Sequence, residues 1–263
     1  MSVKLCVVSN AGGSGKTTMS VHLAYLMSKR GFSVALIDLD PQGSLSLFCG
    51  LTPPHPEKTT AAVLRDDFNG EWPLVKCWTE HTDKVEVCLG GLILSQTTQE
   101  IALHARGSYL LADRLQDYPL VHDLIIFDCP ATLGPLPLIA LAASTHILVP
   151  VQLEPKSIQG SAKLLEWLYL YKKQLRLKPE PELIGFIPNQ YNAKRAAQRQ
   201  LLLSLPEKLA QINIRCFPAI RDSAEFVNAS AQGLPLPLYR PSHPASRDLK
   251  KIVDELSKLI AQK

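Results

Sequence analysis

The chain has 263 residues, of which 46% are hydrophobic and 20% charged, a balance that suits a packed globular core and excludes a disordered or low-complexity protein. Its formal net charge of +4 is too mild to mark a nucleic-acid or lipid binder by itself. No stretch approaches the roughly eighteen uninterrupted apolar residues of a membrane span, and the opening MSVKLCVVSN lacks the basic flank and cleavage site of a secretory leader.

Residues 4–9 (KLCVVS) form an apolar run of strand length that stops at glycines. Residues 16–30 read as a helix with Met19, Leu23, Leu26 and Met27 on one side, closed by Gly31. Residues 33–39 (SVALIDL) form a second strand, apolar on both faces. Strand, glycine loop, helix, strand is the βαβ unit of a parallel sheet covered on both sides. The segment 51–82, with Pro53, Pro54 and Pro56, reads as an irregular surface insertion. Further buried-type strands are expected at 85–89, 124–127, 146–151 and 183–187, with helices at 97–115, 157–175 and 192–212. The pattern predicts an α/β fold: a doubly wound, mainly parallel sheet with helices on both faces, in a single domain spanning 1–263. Six cysteines (Cys6, Cys49, Cys77, Cys88, Cys129, Cys216) are scattered without a C-x-x-C pair, as expected of reduced core thiols in the cytosol.

The loop SNAGGSGKTT, residues 9–18, matches the phosphate-binding pattern G-x-x-x-x-G-K-[ST] except that Asn10 replaces the first glycine. In such a loop successive backbone N–H groups surround phosphate oxygens, and the next helix directs its positive dipole end there. Gly12, Gly13 and Gly15 permit that backbone, with Ser14 and Thr18 completing the cradle. Lys16 is expected on the β- and γ-phosphates and the Thr17 hydroxyl on Mg²⁺. Asp38 and Asp40 end the second strand in IDLDPQGS, and Asp128 ends another in HDLIIFDCP. The carboxyl ends of parallel strands border the ligand crevice, so three carboxylates converge on the metal–phosphate side. Asp128 fits the position that holds Mg²⁺ through water.

GGSGKTT, LIDLDPQGS, HDLIIFDCPATLG and EFVNASAQGLPLPLYRP together resemble the ParA/MinD family of deviant P-loop ATPases, in order and over nearly the whole chain. The resemblance implies a Mg-dependent ATPase whose two subunits sandwich two ATP molecules. For ParA-like members it also implies nonspecific DNA binding in the ATP state and a partner that stimulates hydrolysis. It gives Asp40 the role of activating the attacking water, sets Asp38 beside the metal, assigns adenine reading to Asn189 and base packing to Pro218, and makes Asn10 an ordinary variation. It implies a cytoplasmic protein on the nucleoid.

Most of this family carries a lysine before the double glycine, reaching the partner subunit's phosphates; here that position is Ala11. Lys156, in VPVQLEPKSIQG, follows a buried strand at the same end of the sheet and is the expected replacement, as in the carboxysome-positioning, McdA-like subgroup. That likeness favours carboxysome positioning through a small McdB-like adaptor. Plasmid or chromosome partition through a ParB-like adaptor is the alternative, and a MinD-like membrane-associated ATPase the second.

Lys194, Arg195 and Arg199 in NAKRAAQRQLLLSL, with Arg221, Arg240 and Arg247 further on, are the candidate DNA-phosphate contacts; Arg195 and Arg199 are expected one helical turn apart on one face. No helix-turn-helix precedes the ATPase motifs. The last helix, SRDLKKIVDELSKLIAQK, has Leu249, Ile252, Val253, Leu256 and Ile260 on one side and mixed charge on the other, the pattern of a helix packed on a core rather than laid on a membrane. The cysteine spacing also argues against an iron–sulfur relative and against a zinc site.

Overall fold

The computed structural model describes residues 2–262. Its seven-stranded sheet has the order β3-β4-β2-β5-β1-β6-β7. The strands are β1 (Val3–Val7), β2 (Val34–Asp38), β3 (Leu74–Lys76), β4 (Val85–Cys88), β5 (Leu124–Asp128), β6 (His146–Gln152) and β7 (Glu182–Asn189). Every pairing is parallel except β3 against β4 at one edge. This is the doubly wound α/β architecture that the apolar runs predict.

Alternation along the strands divides the interior into two layers. Cys6, Ala35, Ile37, Ile125, Phe127, Ile147 and Val149 face one side. There they meet α4 (Leu94–Leu103), α5 (Leu110–Asp117), α6 (Pro135–Ala143), α7 (Pro155–Gln174) and α8 (Ala196–Ala210). Val3, Leu5, Val7, Val34, Leu36, Leu124 and Ile126 face the other side and pack on α1 (Lys16–Ser28) and α12 (Lys250–Ala261). The last helix buries Ile252, Val253 and Leu256 in that layer, with Ile260 partly covered, as its spacing predicts. Helix α1 is buried on more than one side: Ser20, Val21, His22 and Ala24 are covered along with Met19, Leu23 and Met27.

Three expectations change. The helix expected over 97–115 is two helices, α4 and α5, separated by a 3-10 turn at Gly107–Tyr109. His104 turns extended after α4, and Gly107 packs so closely on the Ile101 carbonyl that a Cβ there would collide with it. The helix expected from residue 192 starts at Ala196, because the Asn192 side chain accepts the Lys194 N–H in a local turn that competes with helix. The segment 51–82 is more than a surface insertion. It supplies α3 (Thr60–Val63) and β3, and it buries Ala61, Val63, Cys77 and Trp78. Short helices α2 (Ser44–Phe48), α9 (Ala224–Ala231), α10 (Leu236–Tyr239) and α11 (Pro244–Asp248) complete the fold.

Candidate functional site

The glycine loop leaves β1 and enters α1 at Lys16, so the first turn of α1 opens at the carboxyl end of the central strands. Gly13 and Gly15 hold left-handed φ of 71° and 89°, where a side chain would be strained. A Cβ on Gly15 would also meet the Asn189 amide. Gly12 is different: its φ is unremarkable, and a Cβ there would have nothing within 4 Å.

Lys16 is buried beneath this loop, its Nζ donating to the Ala11 carbonyl at 3.2 Å and the Ser9 hydroxyl at 3.4 Å. Burial lowers its pKa, and the Asp128 charge opposes that shift. Asp38 and Asp128 are register partners at the ends of neighbouring strands β2 and β5. Both are buried, and the Oδ2 atom of each lacks a hydrogen-bond partner. Burial, then the Asp128 charge, raises the Asp38 pKa well above the carboxylate range. Burial pushes Asp128 up to about 6, against hydrogen bonds from Thr17 and Ser20. The Ser20 hydroxyl donates to Asp128 Oδ1 at 3.0 Å, and the Asp40 N–H donates to Asp38 Oδ1 at 2.9 Å. Two like charges with unpaired oxygens beside a phosphate-type loop fit a divalent cation, which would relieve both. Among the described residues no three His, Cys, Asp or Glu side chains cluster to hold a metal alone. An ion here therefore has to share its ligands with phosphate oxygens and water, as Mg²⁺ does.

The other wall is made of amides. Gln152 at the end of β6 and Gln190 after β7 both donate to the Gly13 carbonyl, at 3.1 and 2.8 Å, and Gln152 donates to Gln190 Oε1. Asn189 donates to the Ser14 carbonyl at 2.8 Å. The residue expected to read adenine thus clamps the loop with its N–H₂, leaving its carbonyl oxygen to offer. A slot of about 120 Å³ opens beside it, lined by Thr18, Asn189, Gln190, Arg221, Ser223 and Phe226 among others. Pro218 is exposed and does not line that slot.

Lys156 is exposed in the first turn of α7 and has no ion-pair or hydrogen-bond partner among the described residues. The same helix approaches the loop closely: a Cβ on Gly160 would lie 3.1 Å from the Asn10 carbonyl. Cys129 is buried with its Sγ 3.5 Å from that of Cys6, away from any surface where a cluster could bridge two subunits.

Of the candidate DNA contacts, Arg195 and Arg199 lie one helical turn apart, the Arg199 N–H donating to the Arg195 carbonyl at 3.1 Å. Arg195 is the N-cap of α8, preceding its first turn, and Arg199 folds back to donate to the Ala193 carbonyl. Arg221 makes a two-pronged pair with Asp248, and Arg240 pairs with Glu225. Lys194, Arg195, Arg199 and Arg247 are exposed.

Sequence reasoning missed Ser20, Gln152, Gln190 and Gly90. A Cβ on Gly90 would lie 2.8 Å from the Asp38 carboxyl carbon. The double glycine closing β4 at the ligand-facing end of the sheet was the available signal for the last of these. No helix among the described residues is long and apolar enough to cross a membrane.

The profile of the AAA domain family AAA_31 matches residues 2–180. The cell division protein PomZ of Myxococcus xanthus is 27% identical over 252 residues, 95% of this chain and 76% of PomZ. The chromosome-partitioning ATPase Soj of Thermus thermophilus is 26% identical over 254 residues, 96% of this chain and 94% of Soj. The solved McdA(D38A)–ATP complex of Cyanothece matches with a TM-score of 0.85 at 21% identity, covering 98% of this chain and 96% of that one. That last likeness is one of fold. With the profile covering more than half of its length, the chain belongs to the ParA/MinD-like P-loop ATPases of the AAA domain family.

Proposed function

We propose that residues 1–263 act as one ATPase unit that binds Mg-ATP, dimerises around it and uses hydrolysis to switch affinity for DNA and for a small adaptor carrying a cargo. The observation that carries the nucleotide reading is the Asp38–Asp128 pair, two buried carboxylates with unpaired oxygens beside the buried Lys16.

The backbone N–H groups from Gly12 to Thr18 would cradle the phosphates, and Lys16 would exchange the Ala11 carbonyl for phosphate oxygens. Thr17, Asp38 and Asp128 would hold Mg²⁺, which when bound neutralises charge on the terminal phosphates. Asp40 sits two residues beyond Asp38, on the loop its backbone N–H ties to that carboxylate, and would orient the attacking water. Asn189 would meet the base through its carbonyl oxygen; Pro218, outside the slot beside Asn189, would pack on the base only from its exposed position.

Lys156 would supply the cation that Ala11 lacks, reaching the partner subunit's ATP. Its exposure, its lack of a partner and the close approach of α7 to Asn10 support this reading. Size-exclusion chromatography with light scattering tests it: Lys156→Ala should lose ATP-dependent dimers and Lys156→Arg should keep them. Dimerisation unchanged in Lys156→Ala sinks the role.

The cargo reading favoured by Ala11 and Lys156 is carboxysome positioning through an McdB-like adaptor. The full-length similarity to a chromosome-partitioning Soj supports the alternative, partition through a ParB-like adaptor. A MinD-like membrane role has less support, because α12 spends its apolar face on the core. Crosslinking partners to the Asp40→Ala protein held with ATP identifies the adaptor. DNA affinity that proves independent of ATP, ADP and Asp40→Ala overturns the switch.

A further inference from the structure

A second concave surface lies at the other end of the sheet from the glycine loop. Its floor is aliphatic: Ile147 and Leu183, each second in its strand, with Leu165 and Leu168 of α7 and Leu177 beyond it; Leu165 and Leu183 are half-buried and the other three buried. Ile147 and Leu183 are register partners, and the β6–β7 register shifts by one residue immediately after them. The groove holds about 530 Å³. Its rim carries Lys172, Lys173, Arg176 and Lys178 against one carboxylate, Glu180, which pairs with Lys172 at 3.3 Å. Lys173, Arg176 and Lys178 are exposed. Tyr169, also on the rim, is 73% exposed, and the adjoining Leu170 is 49% exposed.

Cations in the last turn of a helix complement its dipole, which accounts for Lys172 and Lys173. It does not account for Arg176 and Lys178, which follow the helix, nor for the half-buried Leu165 and Leu183 beside them. A nucleic-acid backbone would use the cations but gain nothing from the floor. A segment with apolar side chains on one face and carboxylates on the other satisfies both parts, its apolar face covering the half-buried Leu165 and Leu183.

We propose that this groove docks an acidic amphipathic segment of a partner protein. Because it lies at the opposite end of the strands from the nucleotide loop, docking leaves that end free and does not require nucleotide.

A random library of peptides displayed on phage, selected on the full chain without nucleotide and counter-selected on Arg176→Glu/Lys178→Glu, tests the proposal. Both substitutions are on exposed side chains, and an unchanged melting temperature verifies folding. Selected peptides should carry excess Asp and Glu with apolar residues at i, i+3 and i+4. A synthesised winner, followed by fluorescence anisotropy, should bind about tenfold or more weakly to the double variant and weaken with salt. Tyr169→Ala should weaken it independently of salt. Enrichment of basic or non-amphipathic peptides, equal binding to the double variant, or no enrichment overturns the proposal. So does a double variant that keeps peptide affinity while losing affinity for duplex DNA or for phosphatidylserine vesicles. Mg-ATP hydrolysis measured in parallel separates failure here from failure of the nucleotide reading.

Discussion

Asp38 and Asp128 stand side by side at the ends of β2 and β5, paired in register, and each keeps one buried carboxylate oxygen without a hydrogen bond. Raised carboxylate pKa values mean that the ionised forms are less favourable in the folded chain than in the unfolded one. At neutral pH the pair therefore opposes folding until a cation arrives. Asp38→Asn keeps Oδ1 as an acceptor for the Asp40 N–H and removes one charge. It should raise stability in EDTA by about 1–3 kcal/mol and lower Mg-dependent ATP hydrolysis by about a hundredfold or more. Thermal melts with EDTA and with Mg-ATP check both halves; a lower melting temperature in EDTA contradicts the account.

His22 ties the nucleotide helix to the C-terminal region. Its Nδ1–H donates to the Thr18 carbonyl, and its Nε2 accepts the Leu236 N–H. Complete burial pushes its pKa down to about 4. A depressed histidine pKa means that the unfolded chain binds the proton first, so stability is full above about pH 6.5 and falls as pH drops towards 4. The loss should be on the order of 3 kcal/mol across that window. His22→Leu should cost about 1–3 kcal/mol at pH 7.5, by orphaning the buried Leu236 N–H, and should flatten the slope. Denaturant melts at several pH values read the slope, and an unchanged slope in His22→Leu assigns it elsewhere.

Gly12 is exposed, without positive φ and without close neighbours, so the single chain does not require glycine there. In the proposed sandwich dimer the requirement comes from the partner or the nucleotide. Gly12→Val should therefore melt within about 0.5 kcal/mol of wild type yet fail to dimerise with ATP. Gly15→Val should differ, destabilising the chain itself through positive φ and the Asn189 amide. Light scattering with and without ATP, beside thermal melts, distinguishes the two.

The parallel sheet was legible because its strands are apolar on both faces, and the glycine loop and three aspartates because each follows such a strand. What was not legible depended on contacts between distant segments. Gln152 and Gln190 are ordinary polar residues until β6 and β7 bring both to the Gly13 carbonyl. Ser20 looks like one more helix residue until Asp128, 108 positions away, accepts its hydroxyl. The break in the 97–115 region turned on Gly107 packing against Ile101, a close approach that periodicity does not encode. Asn192 was readable as a turn former, but the apolar period beyond it outweighed that signal.

The basic residues divide by what already occupies them. Arg221 spends its guanidinium on Asp248 and Arg240 pairs with Glu225, so each would have to give up an acid to meet a phosphate. Lys194 and Arg195 have no acidic partner among the described residues, and Arg199 donates only to a backbone carbonyl. DNA binding should therefore rest more on the 194–199 group than on Arg221 or Arg240. The triple variant Lys194→Ala/Arg195→Ala/Arg199→Ala should weaken binding to a random duplex about tenfold or more with ATP present. It should also reduce the slope of log affinity against log salt by about 2–3, roughly 0.9 for each phosphate no longer neutralised. Arg240→Ala should change the slope by less than one. Anisotropy titrations from low to moderate salt measure both, and an equal or larger effect of Arg240→Ala would move the DNA surface to the C-terminal segment.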